Sequence, residues 1–309
     1  MAAQARSLQG RVVAITGGAR GIGKATASAL VRKGARVAIG DLDRELAERT
    51  ASELGGETLA LELDVTRRDS FEGFLDQVTE RLGSLDVLIN NAGIMPIGDF
   101  LEEDDLTARR MIDINLHGVL FGMKLALPGM KRRGSGHIIN LASQAGKAGF
   151  PGGATYCATK HAVVGVSEAV RAELRDTGVE VSCVMPAVVN TELGAGLVET
   201  RGVKKVEPED VADAIVDALE RPRFDVFVPR ETIAIYKVMQ LLPRRAREGI
   251  ARFMRADQVL ARPNQAERAA YEERAAHSEP ALEDGPAAGG EPPAEPPTDE
   301  PAEATSGKG

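Results

Sequence analysis

A glycine-rich turn near the amino terminus constrains the fold more than any other feature of the chain. The turn, Thr16 to Gly23, follows the apolar run Val12-Val13-Ala14-Ile15 and precedes a helix-like stretch from about Ile22 to Val31. Its glycines at 17, 21 and 23 allow a tight turn, a close approach of the backbone to a pyrophosphate, and packing of the helix on the strand. The N–H groups at the start of that helix favour phosphate. The pattern predicts a dinucleotide-binding βα unit, and a glycine-rich turn without a ligand is the alternative.

Apolar runs alternate with helix-like stretches along the first 230 residues. The runs cover 12–16, 36–40, 58–63, 85–89, 137–142, 179–185 and 225–228. Strands that alternate with helices are typical of a parallel sheet with helices on both faces. We therefore expect an α/β fold, a doubly wound (Rossmann-type), mostly parallel sheet that forms a single domain over residues 1–230.

A tyrosine and a lysine four positions apart follow the fifth apolar run. Ser143 ends that run, and Tyr156 and Lys160 come after a glycine-rich loop. Positions four apart share one face of a helix. Lowering the pKa of a phenol from ~10 to about 7 needs roughly 4 kcal/mol of preferential stabilisation of the phenolate, which a nearby ammonium in a partly dry site supplies. The spacing therefore predicts a tyrosine that acts as an acid or base, and a packed aromatic beside a solvated lysine is the alternative.

A second turn, Asn90-Asn91-Ala92-Gly93, follows the apolar run that ends at Ile89. Taken alone, it is an ordinary Asn/Gly turn. Together with the other motifs, in this order and spacing, it resembles the pattern of short-chain dehydrogenases/reductases of the ordinary single-domain branch, over roughly residues 8 to 230. That resemblance implies an NAD(P)-dependent oxidoreductase that interconverts a hydroxyl and a carbonyl.

The resemblance also implies roles for individual residues. The catalytic set falls on Asn115, Ser143, Tyr156 and Lys160. In that set Tyr156 takes the substrate proton, Ser143 holds the substrate oxygen, and Lys160 lowers the pKa of the tyrosine and binds the nicotinamide ribose. Asn115 holds a water that links Lys160 to solvent. Without the resemblance, Asn115 reads as a polar residue that caps or kinks a long helix over 103–132.

Cofactor contacts follow from the same resemblance. They fall on Gly17, Arg20, Gly21, Ile22, Gly23, Asp41, Asp64, Val65, Asn91, Ala92, Gly93, Tyr156, Lys160, Pro186, Val189 and Thr191. Thr16 belongs to the same cofactor turn, and Asn90 to the nicotinamide-side segment. Ala187 departs from the family pattern, which has glycine after the proline, and this raises the question whether the backbone takes the same path, since alanine tolerates positive φ poorly.

Two residues bear on the choice between NAD and NADP. Asp41 follows the second apolar run, where a carboxylate binds the ribose hydroxyls and repels a 2′-phosphate. Arg20 favours the phosphorylated cofactor, because a basic residue at its position is frequent in family members that prefer NADP. We expect NAD to be preferred, since one flexible arginine offsets a buried like charge poorly, and NADP stays the alternative.

Substrate identity depends on segments that the motifs leave open, 94–100, 144–153 and 191–206. Their side chains are mostly small or apolar, and the sequence offers no arginine cluster for a phosphate. We expect a small-to-medium hydrophobic alcohol or ketone, of lipid-, steroid- or terpenoid-like character.

The chain continues beyond the ordinary family domain. Residues 231–277 form an amphipathic helical extension, broken near Pro243, and the part from 231 to 262 holds seven Lys/Arg and three Asp/Glu. This segment either contacts an anionic membrane peripherally or covers the substrate mouth or a neighbouring subunit. Residues 278–309 carry seven prolines, eight acidic residues and one lysine, which predicts a disordered acidic tail.

The remaining expectations concern compartment, metals and partners. Two cysteines and the absence of a secretory signal predict a cytoplasmic protein, and the scattered histidines predict no metal site. No basic patch indicates nucleic-acid binding. The helices over 103–132 and 155–177 are those that family members pair into homodimers or homotetramers. The alternative function is a non-catalytic dinucleotide-binding protein that engages a partner or membrane through its C-terminal helices.

Overall fold

The structure, a computed structural model, describes residues 5–198, 200 and 204–276. Within these residues seven strands form one parallel sheet in the order β3-β2-β1-β4-β5-β6-β7. The strands are β1 (Val12–Thr16), β2 (Arg36–Asp41), β3 (Thr58–Glu62), β4 (Val87–Asn90), β5 (Gly136–Leu141), β6 (Val179–Pro186) and β7 (Asp225–Val228). The strand order reverses between β1 and β4, so a crevice opens there at the carboxyl ends of the strands. The doubly wound fold is confirmed, and the acidic tail lies outside the described residues.

Helices cover both faces of this sheet. They are α1 (Gly21–Arg32), α2 (Arg44–Leu54), α3 (Arg68–Leu82), α4 (Asp105–Ile112), α5 (Gly118–Arg133), α6 (Ala154–Glu173), α7 (Pro208–Glu220), α8 (Thr232–Leu241), α9 (Arg244–Phe253) and α10 (Gln265–Ala276). Alternate residues of β1 point to opposite sides: Val12 and Ala14 pack with α3, α5 and α6, whereas Val13 and Ile15 pack with α1 and α7. Because both faces are buried, the first four residues of the strand are all apolar rather than alternately apolar and polar.

The long helix expected over 103–132 is interrupted. Between α4 and α5 the residues Asp113–His117 form one π-helical turn, and Asn115 lies within it, fully buried. A π-turn inserts an extra residue into the helical ladder and re-aims side chains. The turn therefore directs Asn115 inward, toward the carboxyl end of β4.

Candidate active site

The glycines of the first turn are required by close contacts. Gly17 and Gly21 have φ of 62° and 51°, and a Cβ on Gly17 would lie 2.9 Å from Ala92 Cα. A Cβ on Gly23 would lie 2.1 Å from Gly17 O. Gly17 and Gly21 line the crevice with Ile22, whereas Gly23 lies behind the turn and allows α1 to pack against it.

The amino terminus of α1 faces this crevice without a side-chain cap. Arg20 is the N-cap residue and makes no capping hydrogen bond, so the first N–H groups of the helix stay available to an anion. Together with the tight glycine turn, this arrangement fits a pyrophosphate.

Asp41 and Arg20 lie near each other at the end of β2. Asp41 Oδ2 accepts a hydrogen bond from Ala19 N (3.0 Å) and Oδ1 from Asp43 N (3.2 Å). Burial raises the pKa of the Asp41 carboxyl, and these two hydrogen bonds act against the rise. The Arg20 guanidinium is paired with Asp43 (3.0 Å) and Glu192 (3.6 Å). The arginine is thus paired with two carboxylates beside Asp41.

Asp64 presents a buried acceptor to the same crevice. Its Oδ1 accepts from Thr66 N (2.9 Å) and Thr66 Oγ1 (2.7 Å), while its buried Oδ2 has no partner among the described residues. Buried carboxylate oxygens are normally satisfied, so this atom fits an N–H donor such as the amino group of adenine. Val65, beside it, also lines the crevice.

The turn after β4 braces the first turn. Asn91 Nδ2 donates to Thr16 O (2.9 Å) and Gly17 O (2.8 Å), and Thr16 Oγ1 accepts from the backbone N–H groups of Asn91 and Ala92 (3.0 Å each). Asn91, Ala92 and Gly93 line the crevice. Asn90 does not, because its side chain points into the core, where Nδ2 donates to Asn140 Oδ1. Asn90 therefore belongs to the nicotinamide-side segment by its backbone, while its side chain supports the core.

The structure brings Ser143, Tyr156 and Lys160 to one wall of the crevice. Ser143 follows β5, and its hydroxyl acts on the phenol of Tyr156 by lowering the pKa of that group. Both Tyr156 and Lys160 are buried on α6, with Lys160 Nζ 5.7 Å from the centroid of the Tyr156 ring. Lys160 Nζ donates to Leu141 O (2.9 Å). The three polar groups therefore converge beside the glycine turn.

The pKa of Tyr156 is raised in this structure, whereas the sequence predicted that Lys160 would lower it. Burial raises the pKa of Tyr156 to about 12, and the hydrogen bond with Ser143 and the charge of Arg268 act against the rise. Burial also lowers the pKa of Lys160 to about 8. The Lys160 ammonium donates its hydrogen bond to Leu141 O, and burial is the largest influence on the pKa of Tyr156.

Asn115 does not line the crevice; it supports the wall from behind. Its Oδ1 accepts from Ile94 N (2.8 Å), and its Nδ2 donates to Ile94 O (2.9 Å) and Thr159 Oγ1 (3.2 Å). A Cβ added to Gly93 would lie 3.1 Å from Asn115 Oδ1 and 3.6 Å from Lys160 Nζ. Its side chain thus ties the segment after β4 to α6, and the kinked helix read from the residue alone is present as well.

The segment after β6 completes the wall near α1. Pro186, Val189 and Thr191 line the crevice, and Thr191 Cγ2 would be 3.3 Å from a Cβ on Gly21. Ala187 does not adopt a positive φ, and its N–H donates to Val228 O (2.8 Å). Alanine is therefore compatible with this backbone path.

The crevice widens into a cleft of about 1440 Å³ that the C-terminal helices help to enclose. Residues of α8, α9 and α10 line it, among them Tyr236, Met239 and Tyr271. Two groups on α10 were missed from the sequence: Tyr271, and Arg268, which supports the wall while only 2% exposed. The segment around them is polar and reads as a surface helix, so the one available signal was that Tyr271 is among only three tyrosines.

Among the described residues, no helix is both long and apolar enough to cross a bilayer. The same residues contain no group of three or more His, Cys, Asp or Glu side chains that could hold a metal ion. Cys157 and Cys183 are free and buried, and burial raises the pKa of both thiols.

The chain is similar to proteins of known class. A family model described as short chain dehydrogenase matches residues 11–202. An uncharacterized oxidoreductase of Staphylococcus saprophyticus is 35% identical over 229 residues, 70% of this chain and 92% of that protein. A sorbitol dehydrogenase of Cereibacter sphaeroides is 41% identical over 186 residues, 60% of this chain and 73% of that protein. A solved short chain dehydrogenase/reductase of Burkholderia phymatum in complex with NAD has a TM-score of 0.70 at 26% identity, covering 76% of this chain and 94% of that one.

Proposed function

Because this chain belongs to the short-chain dehydrogenase family, we propose that its cleft binds NAD and oxidises the hydroxyl of an apolar substrate to a carbonyl. At the coarser level the protein is an NAD(P)-dependent oxidoreductase. The observation that carries the proposal is the convergence of Ser143, Tyr156 and Lys160 on one wall of the cleft that also holds the glycine turn.

Tyr156 is the proton acceptor in this proposal. The phenolate of Tyr156 accepts the proton of the substrate hydroxyl and becomes the phenol, and Ser143 donates a hydrogen bond to the same substrate oxygen. When bound, the nicotinamide supplies the acceptor for the hydride that leaves the carbinol carbon. Because the phenol is buried and its pKa is raised, Tyr156 holds its proton firmly, and oxidation speeds up as the pH rises.

Lys160 and Asn115 organise the proton path. Lys160 Nζ is fixed by Leu141 O and lies near Gly93, a position from which it binds the ribose hydroxyls next to the nicotinamide. Its lowered pKa of about 8 suits a group that exchanges protons near neutral pH. Asn115 holds Ile94 and Thr159 together and so fixes the distance between the nicotinamide-side segment and α6.

The other cofactor contacts follow from the crevice. The pyrophosphate binds the N-terminus of α1 with Gly17, Gly21 and Ile22, and Asp64 Oδ2 accepts from the adenine. The carboxamide end lies against Pro186, Val189 and Thr191. Asp41, flanked by Asp43, favours the unphosphorylated ribose, and the pairing of Arg20 with two carboxylates supports NAD over NADP.

The substrate region supports an apolar alcohol or ketone. Side chains that line it include Ile94, Met95, Phe150, Leu193, Leu197 and Met239. Burial of such surface favours a hydrophobic ligand by about 25 cal/mol per Å² of apolar area removed from water. One relative is a sorbitol dehydrogenase, which supports a polyol as the alternative substrate. Sugar alcohols should therefore be tested together with apolar alcohols.

Two measurements test the proposal. Fluorescence titration of the protein with NADH and with NADPH should show tighter binding of NADH, and Asp41→Ser should reduce the difference. Tyr156→Phe should lower turnover by at least ~100-fold and leave NADH binding nearly intact, while Tyr236→Phe, a second tyrosine of the cleft, should keep its activity. Undiminished turnover of Tyr156→Phe would refute the assignment; binding of neither cofactor would refute the reaction itself.

The assembly and compartment are further parts of the proposal. Leu106 and Ile112 on α4 are exposed apolar side chains, which supports pairing of this helix in a homodimer or homotetramer. We also place the protein in the cytoplasm. We divide it into a catalytic domain over 1–230 and an extension over 231–277. Light scattering at several concentrations tests the assembly, with Leu106→Glu expected to dissociate it.

Peripheral membrane contact through 231–262 is supported by exposed apolar side chains on α8 and α9. Leu241 is 86% exposed and Phe253 71%. Helix α9 buries no residue and carries four arginines against Glu248, a composition that favours an anionic membrane surface. Other residues of α8 and α9 line the cleft, so the two helices also cover the substrate mouth.

Sedimentation with vesicles tests this contact. Vesicles of phosphatidylglycerol should bind the protein and vesicles of phosphatidylcholine should not, and the double variant Leu241→Ser with Phe253→Ser should lose binding. Phe100→Ser is the matched control, since Phe100 is 66% exposed elsewhere on the chain. Equal binding by the double variant would exclude α8 and α9 as the contact.

A further inference from the structure

Helix α10 carries a buried arginine that joins the two loops of the substrate region. Arg268 Nη1 donates to Leu193 O (2.9 Å) and Ala195 O (3.3 Å), and Nη2 donates to Met95 O. Its Nε donates to Glu272 Oε1 (2.5 Å). A guanidinium has five N–H donors in a fixed fork, so this one side chain binds three carbonyl groups from two segments that lie about a hundred residues apart in the chain.

Tyr271 holds the same loop from the other side. Its hydroxyl oxygen accepts a hydrogen bond from Met95 N (2.6 Å), so α10 binds both the N–H and the carbonyl of one residue of the cleft wall. The Arg268 guanidinium lies 4.7 Å from the centroid of the Tyr271 ring. The ring is buried, and Tyr271 itself lines the cleft. Its orientation is therefore fixed by two independent contacts.

The Tyr271 hydroxyl, which accepts a hydrogen bond from Met95 N, can also donate one through its own proton. No acceptor for this O–H occurs among the residues that the structure describes, although the phenol has one proton to donate. Burial raises the pKa of Tyr271, so the phenol stays protonated at any working pH. A buried donor without an acceptor costs free energy unless a ligand supplies the acceptor.

Tyr271 also lies in the electrostatic neighbourhood of the catalytic tyrosine. The charge of Arg268 lowers the pKa of both Tyr156 and Tyr271, and Tyr156 contributes to raising the pKa of Tyr271. Arg268 belongs to a segment past residue 202, where the family match ends. Tyr271 on α10 and Tyr156 on α6 line the same cleft.

We propose that Tyr271 is a further substrate-binding residue, whose hydroxyl donates a hydrogen bond to a second oxygen of the substrate, and that Arg268 positions it. The inference rests on the proposed function and narrows its substrate class. The substrate is an apolar alcohol or ketone that bears, apart from the reacting oxygen, an ether, carbonyl or hydroxyl oxygen. Tyr156 and Ser143 hold the reacting oxygen, and Tyr271 holds the second.

Pairs of alcohols that differ in one oxygen test this role. The first pair is 4-methoxycyclohexanol and 4-ethylcyclohexanol, and the second is 3-methoxycyclohexanol and 3-ethylcyclohexanol. The third pair is 1-(4-methoxyphenyl)ethanol and 1-(4-ethylphenyl)ethanol. Each compound is tested with NAD⁺. For at least one pair the unaltered protein should prefer the methoxy compound by about tenfold in kcat/KM, the effect of one buried hydrogen bond. A ratio within a pair cancels any general loss of activity in a variant.

The variants separate substrate binding from support of the fold. Tyr271→Phe should bring the preferred ratio close to one, and Tyr236→Phe, the matched control in the same cleft, should leave it unchanged. Arg268→Lys keeps a charge but replaces the planar fork of the guanidinium by a compact ammonium that does not span the two segments, so it should raise KM for the methoxy compound more than it lowers kcat.

Each outcome decides the inference. If the unaltered protein prefers no methoxy compound, or if Tyr271→Phe keeps the preference, Tyr271 acts only as a structural clamp and the proposal is wrong, while the proposed function stands. Failure to oxidise any alcohol would overturn the proposed function and the inference with it. A preference that Tyr236→Phe abolishes equally would also overturn it.

Discussion

Replacing Lys160 by methionine should remove a pH-dependent contribution to the free energy of unfolding. Lys160 is 5% exposed, and burial lowers the pKa of its ammonium from 10.5 to about 8. At about 1.4 kcal/mol per pKa unit, carrying this charge in the folded protein costs about 3 kcal/mol at neutral pH. The charged hydrogen bond to Leu141 O (2.9 Å) returns roughly 1.5–3 kcal/mol.

The sign of the pH dependence follows from the lowered pKa. Below pH 8 the lysine is protonated in both the folded and the unfolded chain, and the cost is constant. Between pH 8 and 10.5 the unfolded chain keeps a proton that the folded chain has released, so the stability contributed by Lys160 rises with pH by about 3 kcal/mol. Lys160→Met removes this rise because methionine does not titrate.

Urea unfolding followed by circular dichroism from pH 7 to 10.5 measures the effect. The stability of Lys160→Met relative to the unaltered protein should be zero to about 2 kcal/mol higher at pH 7 and should fall by about 3 kcal/mol by pH 10.5. Taking the difference cancels the titration of Tyr156, which is present in both proteins. Lys124→Met, at an exposed position of α5, is the control and should show no trend. A difference for Lys160→Met that stays constant across this range would refute the reasoning.

Two further predictions concern other buried groups. His137 is hydrogen-bonded to Ser182 Oγ (2.8 Å), and burial lowers its pKa to about 3. Below pH 6.5 the unfolded chain binds a proton that the folded chain does not bind, so the free energy of unfolding should fall by about 3 kcal/mol between pH 6.5 and 4.5. His137→Leu should remove this part of the fall in urea unfolding. Gly23→Ala places a Cβ 2.1 Å from Gly17 O and should weaken NADH binding in a fluorescence titration, whereas Gly73→Ala, whose Cβ meets nothing within 4 Å on α3, should keep binding and add about 0.5–1 kcal/mol of stability. Retained binding in Gly23→Ala would contradict the packing argument for the turn.

The strands and their order along the chain were readable from sequence because their pattern is local. Runs such as Val12-Val13-Ala14-Ile15 are apolar at consecutive positions, which indicates a strand buried on both faces. The motif residues Ser143, Tyr156 and Lys160 were also found from spacing, since positions four apart share one face of a helix. The strand bounds agree to within about two residues because turn residues are local signals too, whereas the helix expected over 155–177 ends four residues earlier, at Glu173.

Side-chain direction was less accessible. Asn90 and Asn91 are adjacent in a strand end, and only the packing decides that Asn90 meets Asn140 in the core while Asn91 braces the glycine turn. The π-helical turn at Asn115 likewise depends on the backbone groups of Ile94, which arrive from another part of the chain.

The sequence by itself determined the doubly wound fold and the set of motifs at the carboxyl edge of the sheet, because helix, strand and turn preferences act over a few residues. Only the tertiary structure decided the electrostatics of the site and its outer wall. The pKa of Tyr156 depends on how far burial removes the phenol from water, and Arg268 reaches Met95, 173 residues away in the chain. Desolvation and contacts of this length arise when distant segments pack together, and no local pattern encodes them.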